Sequence, residues 1–455
     1  MSIHDELERI AARAPEVVVP ADMWARARRA RRRDRLGVVA AVVAVLAVAG
    51  TLAWLPTRDG LEPVDGRTLG VPNRLWAVPE RMSDRENDDS WMRDEVSSQL
   101  DVGTAAAAWT TPGGLPVVVG AADGAYHLLD LPDFGGNNFL LNYGLGGSPV
   151  ALSPDGLRLA YAYAHFGPDA ATEPIPSGVR VLDLEEGSVT DHPILGAEGT
   201  AVGTLTWSSD GRWLGWTGER YTSWTESSTG SASPFAGRID LTTGSVDQMR
   251  IGEPSAMTVA IAADGVLSIV GNDRMVRWDG ERREARRLRG FWSGRGVVTA
   301  DGSIAAGIDS ELAVQLLDRR LKVSTIDASG ELNPVAGGTA TVLGITADRL
   351  VVRTSTLDSS DGALLLLERD GISATVAAVD ADVPDTLTLA TDLMTTERPT
   401  VDRPEPDWPT DWGRVLTIGG WILVGAAALA LLAWTVLLRT RRSPYSSPGA
   451  RRPVP

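Results

Sequence analysis

Apolar and polar positions between residues 72 and 397 alternate in short runs that stop at small polar clusters, and the runs return in the same order. The segments "ALSPDGLRLAYAYA" (151–164), "LTWSSDGRWLGWTG" (205–218), "AIAADGVLSIVG" (260–271), "VVTADGSIAAG" (297–307) and "GITADRLVVRT" (344–354) share one grammar. An apolar strand enters a tight turn of the form Ser/Thr/Ala-x-Asp-Gly, and a second alternating strand leaves it. Asp followed by Gly suits this turn because the aspartate hydrogen-bonds its own backbone while glycine accepts positive φ. The turn aspartates are Asp155, Asp210, Asp264, Asp301 and Asp348, spaced 55, 54, 37 and 47 residues apart. The last is followed by Arg349 instead of glycine. "WTTPGGLPVVVG" (109–120) reads as a sixth, degenerate copy with Gly113 in the aspartate slot.

A second apolar element follows each turn: "YHLLDL" (126–131), "VRVLDL" (179–184), "GRIDL" (237–241), "MVRWDG" (275–280), "VQLLDR" (314–319) and "LLLLERDG" (364–371). Six turn-plus-strand units at this spacing predict an all-β fold, a β-propeller of about six four-stranded blades. Each small sheet has apolar faces it cannot bury alone, so the ring must close. "RLWAVPE" (74–80) and "DTLTLATDL" (385–393) are the alternating segments left to close it. If they pair, residues 72 and 397 end near one another.

The phrases "SPDGLRLAYAYA…VRVLDLEEG" and "WSSDGRWLGWTG…GRIDLTTG" resemble blades of the WD40-like, TolB-type β-propeller superfamily. The resemblance is clear in those two blades, weakens through the others and covers roughly residues 72–397. Gly-His and Trp-Asp dipeptides of true WD40 repeats are missing from the expected places, with Trp278-Asp279 an isolated instance. The resemblance implies a fold and a binding habit, not a reaction.

Two apolar runs change the picture from a free disc to an anchored one. Residues 36–57 and 415–438 are 22 and 24 residues without a charge, and roughly 20 apolar residues cross a bilayer core. Arginine-rich flanks lie outside both runs, at 26–35 and 439–452, while the inner flanks are acidic or mixed. The positive-inside rule then places both termini in the cytoplasm and the centre outside the cell membrane. Ala47-Val48-Ala49 resembles a signal-peptidase site, but the 35 residues that lead the run exceed a usual n-region. The predicted organisation is a cytoplasmic segment (1–35), a first transmembrane helix (36–56), a linker (57–71), the propeller (72–397), a Pro-rich stalk (398–414), a second transmembrane helix (415–438) and a basic cytoplasmic tail (439–455).

Charge sharpens the partner expectations. Residues 1–35 carry +3 and residues 439–455 carry +5, so the formal total of −16 leaves −24 on the body between them. An acidic body argues against nucleic acid, whose phosphates need neutralising cations. The lipid bilayer is the expected partner of the basic ends, with an envelope protein or small ligand expected for the propeller. The chain has no cysteine, which removes disulfides, thiolate metal sites and cysteine nucleophiles.

Candidate recognition residues fall on two long insertions, 165–178 and 219–237, which join the second and third strands of neighbouring blades. His165, Phe166, Asp169, Arg220, Tyr221, Trp224, Glu226 and Phe235 supply aromatic and charged surface there, and loops on a rigid scaffold commonly carry recognition. The plain alternative is a pair of solvated insertions without a ligand. The acidic stretches 80–95 and 358–362 lack the regular oxygen-ligand spacing of a calcium loop, so no metal site and no cofactor is expected. There is no Gly-x-Ser-x-Gly elbow, P-loop, dinucleotide fingerprint or His-x-x-x-His spacing. The expectation is a non-enzymatic binding or scaffolding module. The alternatives are a propeller-type hydrolase or lactonase-like enzyme with channel carboxylates, and a sensor relaying through the amphipathic segment 3–14.

Overall fold

The computed structural model describes most of residues 68–408, with its larger gaps at 84–95, 135–148, 165–175, 195–198, 223–230, 252–257, 289–292, 330–337 and 357–360, together with Trp421, Gly425, Ala428 and Leu432. The chain divides into two compact units at Val64 and Asp65, and every described residue belongs to the second. Both apolar runs lie outside the described residues apart from those last four, each helical and exposed. Among the described residues no helix is long and apolar enough to cross a membrane.

The second unit is a six-bladed β-propeller. Blade 2 runs Val150–Leu152, Arg158–Ala164, Ser177–Asp183 and Val189–Pro193 from axis to rim, and blade 3 runs Thr200–Trp207, Trp213–Tyr221, Ala232–Asp240 and Ser245–Arg250. Blade 4 comprises Thr258–Ile261, Leu267–Val270, Arg274–Trp278 and Arg283–Arg287, and blade 5 comprises Ser293–Val298, Ile304–Gly307, Ala313–Leu317 and Val323–Asp327. The first strands of these two blades run parallel, with Val259 opposite Arg295. Blade 6 holds Gly338–Thr346, Arg349–Thr356, Asp361–Leu367 and Ser373–Asp380.

Burial follows position in the blade and explains why the repeat reads more clearly in some strands than in others. Second strands are packed on both faces, so Arg158–Ala164 and Leu267–Val270 are almost wholly buried and nearly continuous in apolar residues. Fourth strands lie at the rim, and Val189–Pro193 and Arg283–Arg287 are mostly or wholly exposed. The core is accordingly not one mass but six apolar clusters, one in each seam between neighbouring blades. In blade 2, Leu159 and Tyr161 face blade 1, while Ala160 and Ala162 leave room for Leu214 and Trp216 of blade 3. Each fully buried large side chain contributes about 1.5–3 kcal/mol, and a closed ring leaves no apolar blade face in water.

Closure departs from the simple expectation. Segments 74–80 and 385–393 do not pair with each other. Thr388–Leu389 becomes the first strand of blade 1, antiparallel to Ala105–Thr110, and Pro116–Gly120 and Tyr126–Leu129 complete it. Arg74–Leu75 instead lies parallel to Ser373–Asp380 at the rim of blade 6, and Val96–Ser97 lies parallel to Tyr126–Leu129 at the rim of blade 1. The Gly113 turn therefore joins second and third strands and is not the equivalent of the Asp-Gly turns. The physical reason is that the axial place in blade 1 is taken by a strand from the far end of the chain. Thr388 holds it there: the hydroxyl donates to Ala108 O (3.0 Å) and accepts from Leu152 N–H (3.1 Å).

The ends of the ring do meet. Pro72 bridges Val401, Asn73 N–H donates to Val401 O (2.8 Å), and Val401 N–H donates to Val71 O (2.8 Å). Arg403 is buried and donates to Thr68 O (2.6 Å) and Ala121 O (2.7 Å). The described residues at either end of the ring thus meet at the seam of blades 6 and 1.

Candidate functional site

The Asp-Gly turns form as the sequence demands. Asp155 accepts from Leu157 N–H (3.0 Å), Asp210 from Arg212 N–H (3.2 Å) and Asp264 from Val266 N–H (3.1 Å). Ser153 and Ser208 hydroxyls donate to Asp155 and Asp210. Gly156 has φ 76°, and a Cβ added there would stand 2.2 Å from Ala105 O, so glycine is required on two counts. Asp301 and Asp348 lie outside the described residues. These carboxylates serve the turns.

Because successive strands are antiparallel, all first-to-second turns gather at one end of the axis and all second-to-third loops at the other. At the turn end the channel opens into a cavity of about 260 Å³. Every blade contributes a wall: Leu389 from blade 1, Leu152 from blade 2, Trp207 from blade 3, Ile261 from blade 4, Val298 from blade 5 and Ile345 from blade 6. Thr206, Ser209, Thr388 and Thr391 also line it, with the Thr206 and Thr388 hydroxyls donating to Gly296 O and Ala108 O, and Asp392 is its single carboxylate among the described residues.

Asp392 is the sixth turn aspartate. It stands three residues after the end of Thr388–Leu389, as Asp155 does after Val150–Leu152 and Asp264 after Thr258–Ile261. Here, however, the chain does not return as a hairpin. It makes one turn of 3-10 helix, Thr391–Leu393, and moves away toward Val401. Two hydrogen bonds hold this turn across the mouth: Asp392 N–H donates to Pro154 O (2.9 Å), and the Thr346 hydroxyl donates to Met394 O. No hydrogen bond or ion pair reaches the Asp392 carboxylate among the described residues. Desolvation by the surrounding wall, and then the charge of Asp155, push its pKa above the ordinary carboxylate range although it stands at an exposed lip.

Sequence reasoning overlooked Asp392. The signal that would have found it is "LATDL" read beside "GITADR", with the missing glycine explained by the missing hairpin.

Of the residues assigned to the two insertions, His165, Phe166, Asp169, Trp224 and Glu226 lie outside the described residues. Arg220, Tyr221 and Phe235 belong to strands: Tyr221 pairs with Ala232, Arg220 with Ser233 and Gly218 with Phe235. The second and third strands of blade 3 therefore continue well into the segment read as a loop. Arg220 stacks on the Phe235 ring, 4.1 Å from its centroid, and donates to Thr200 Oγ1 (3.3 Å). Tyr221 is buried and its hydroxyl donates to Glu219 (2.8 Å). This group lies at the loop end of the axis, away from the cavity. Among the described residues no cluster of three or more His, Asp or Glu could hold a metal ion.

Chemically, the mouth offers one carboxylate at the lip of a lining of mixed polar and apolar surface. That suits a small molecule with a cationic or hydrogen-bond-donating head and an apolar body. General acid–base hydrolysis of the two-carboxylate kind needs a second carboxylate across the reacting bond.

No family model and no curated protein matches the chain. Solved structures do show a likeness. Virginiamycin B lyase from Staphylococcus aureus is 15% identical, with 51% of this chain and 70% of that chain covered and a TM-score of 0.32. Regucalcin from Agrobacterium tumefaciens, described as a calcium-binding protein, is 17% identical over 54% and 80% of the two chains, with a TM-score of 0.32. A protein of unknown function from Bacteroides caccae is 10% identical over 61% and 98%, with a TM-score of 0.38. Similarity at this level does not extend to activity or ligand.

Proposed function

We propose that this chain is a non-catalytic binding propeller, tethered to the outer face of a membrane at one point of its rim, that takes a small cationic ligand at its channel mouth. The observation that carries the binding site is Asp392, a carboxylate at the turn position with no turn to serve, facing a cavity built by all six blades. A cation there relieves the unfavourable charge that partial desolvation and Asp155 impose. The tether is supported by the meeting of Pro72 and Val401, which brings together the described segments nearest in sequence to the two apolar runs. The hydrolase alternative draws no support from a mouth with a single carboxylate among the described residues. The relay through residues 3–14 concerns a segment outside them.

The experiment is a melting series on the purified full-length chain with hexylamine, hexanol and hexanoate, repeated on Asp392→Asn. Hexylamine is expected to raise Tm where the alcohol and the acid do not, and the substitution to abolish that rise. An equal rise in the substituted chain, or no rise with the amine, overturns the reading.

A further inference from the structure

The outermost strand of blade 4, Arg283–Arg287, reads Arg-Glu-Ala-Arg-Arg with every side chain exposed. On one side it pairs with Arg274–Trp278, and among the described residues no strand covers its other edge. Such an edge presents a row of backbone donors and acceptors. This molecule already uses its rim in that way twice, because Val96–Ser97 and Arg74–Leu75 are extended segments added to the outer edges of blades 1 and 6. The outer strands of blades 2, 3 and 5 read VTDHP, SVDQMR and VSTID, none with more than one cation. Blade 4 is the exception: residues 274–287 hold six arginines against three acids, in a body that carries −24.

The arginines are arranged by strand alternation. Arg283 stands opposite Trp278, and Trp278 packs into the seam with Trp213 of blade 3, so Arg283 and Arg287 share the side nearer blade 3. Arg283 reaches the backbone carbonyl of Arg250 on that blade (3.4 Å). Arg286, on the other side, is already paired with Glu284. Among the described residues, Arg250, Arg283 and Arg287 form no ion pair. They make a short cationic stripe beside an open strand edge.

We propose that this edge receives an extended acidic protein segment as a fifth strand of blade 4. Backbone hydrogen bonds would hold it, and the arginines would read carboxylates at every second position, since alternate residues of a strand share a face. The seam of blades 3 and 4 is three seams, or half the ring, from the seam where Pro72 meets Val401. Unpaired backbone donors and acceptors along the edge suit a protein segment, which can complete a strand ladder, better than a bilayer surface. This inference does not rest on the ligand assigned to Asp392.

The test is fluorescence anisotropy on the full-length chain with a labelled peptide of alternating Glu and Thr. Its counterpart methylated at alternate backbone nitrogens serves as the second probe, and inorganic polyphosphate as competitor. Backbone methylation is expected to weaken binding by about tenfold or more, as is the double substitution Arg283→Glu with Arg287→Glu, while Asp392→Asn leaves binding unchanged. The methylated peptide keeps the test independent of any folding defect in the variant. Absence of peptide binding overturns the proposal. Equal binding of the methylated peptide, with displacement by polyphosphate, overturns it too, by revealing a general polyanion surface.

Discussion

The turn of blade 2 and the closing turn of blade 1 start from the same local instruction and end with different chemistry. Asp155 follows its strand by three residues, accepts Leu157 N–H and sits beside Gly156 in a hairpin. Asp392 follows its strand by the same interval, but the chain leaves and its carboxylate is without a backbone partner among the described residues. An aspartate in a repeat is therefore structural only where the chain folds back over it. The one repeat that is cut by ring closure releases a polar group at the axis, where all six blades converge.

Breaking closure should have the largest effect. Leu389→Asp places a charge without a partner in the buried first strand of blade 1, which is expected to cost about 3–5 kcal/mol. Denaturant midpoints measure it, and a loss no larger than that of a surface substitution would mean that this strand does not complete the blade. Asp155→Ala removes two turn hydrogen bonds, from Leu157 N–H and the Ser153 hydroxyl, and should cost about 1–3 kcal/mol. Asp392→Asn should change stability by no more than about 0.5 kcal/mol at neutral pH. Equal costs for these two substitutions would erase the contrast between the turns.

Proton linkage separates the groups further. The Asp392 pKa is raised in the folded chain, so its contribution is fully present below the unfolded carboxylate value and lost as pH rises through the folded one. Any stabilisation by Asp392→Asn should thus appear at neutral pH and fade on acidification. His192 has the opposite sense. Burial lowers its pKa, so the fold loses stability as pH falls below about 6.5, the unfolded histidine value. His192→Gln should flatten that acid limb, and melting curves between about pH 5 and 7.5 compare the two variants directly.

Much of the ring was legible because its turns are local. Ser153, Asp155 and Gly156 specify one hairpin within a few residues, and Ser208, Asp210 and Gly211 repeat it. The alternation that fills the seams is local as well: Leu159 and Tyr161 turn one way, Ala160 and Ala162 the other. Closure was not legible in detail. The Thr388 hydroxyl bonds Ala108, 280 residues away, and a two-residue strand has too little pattern to declare its partner. That is also why the Gly113 turn was placed one strand too early and Asp392 passed unnoticed. Thr, Ser and Gly dominate 222–231 and give the blade 3 insertion the composition of a loop, whereas the paired positions on either side, Arg220 with Ser233 among them, continue the hairpin.

The propeller closes on itself, with Pro72 and Val401 meeting at the seam of blades 6 and 1. The natural chain contains no cysteine, so a cross-link between introduced residues reports this without background. Asn73 Nδ2 donates to Asp402 Oδ1 at 2.9 Å across a separation of 329 residues, on the exposed rim. In the doubly substituted chain, Asn73→Cys with Asp402→Cys, mild oxidation at low protein concentration should give near-complete intramolecular disulfide, seen as faster non-reducing migration. Thiols that stay free, or that link only between molecules, would contradict the closed ring.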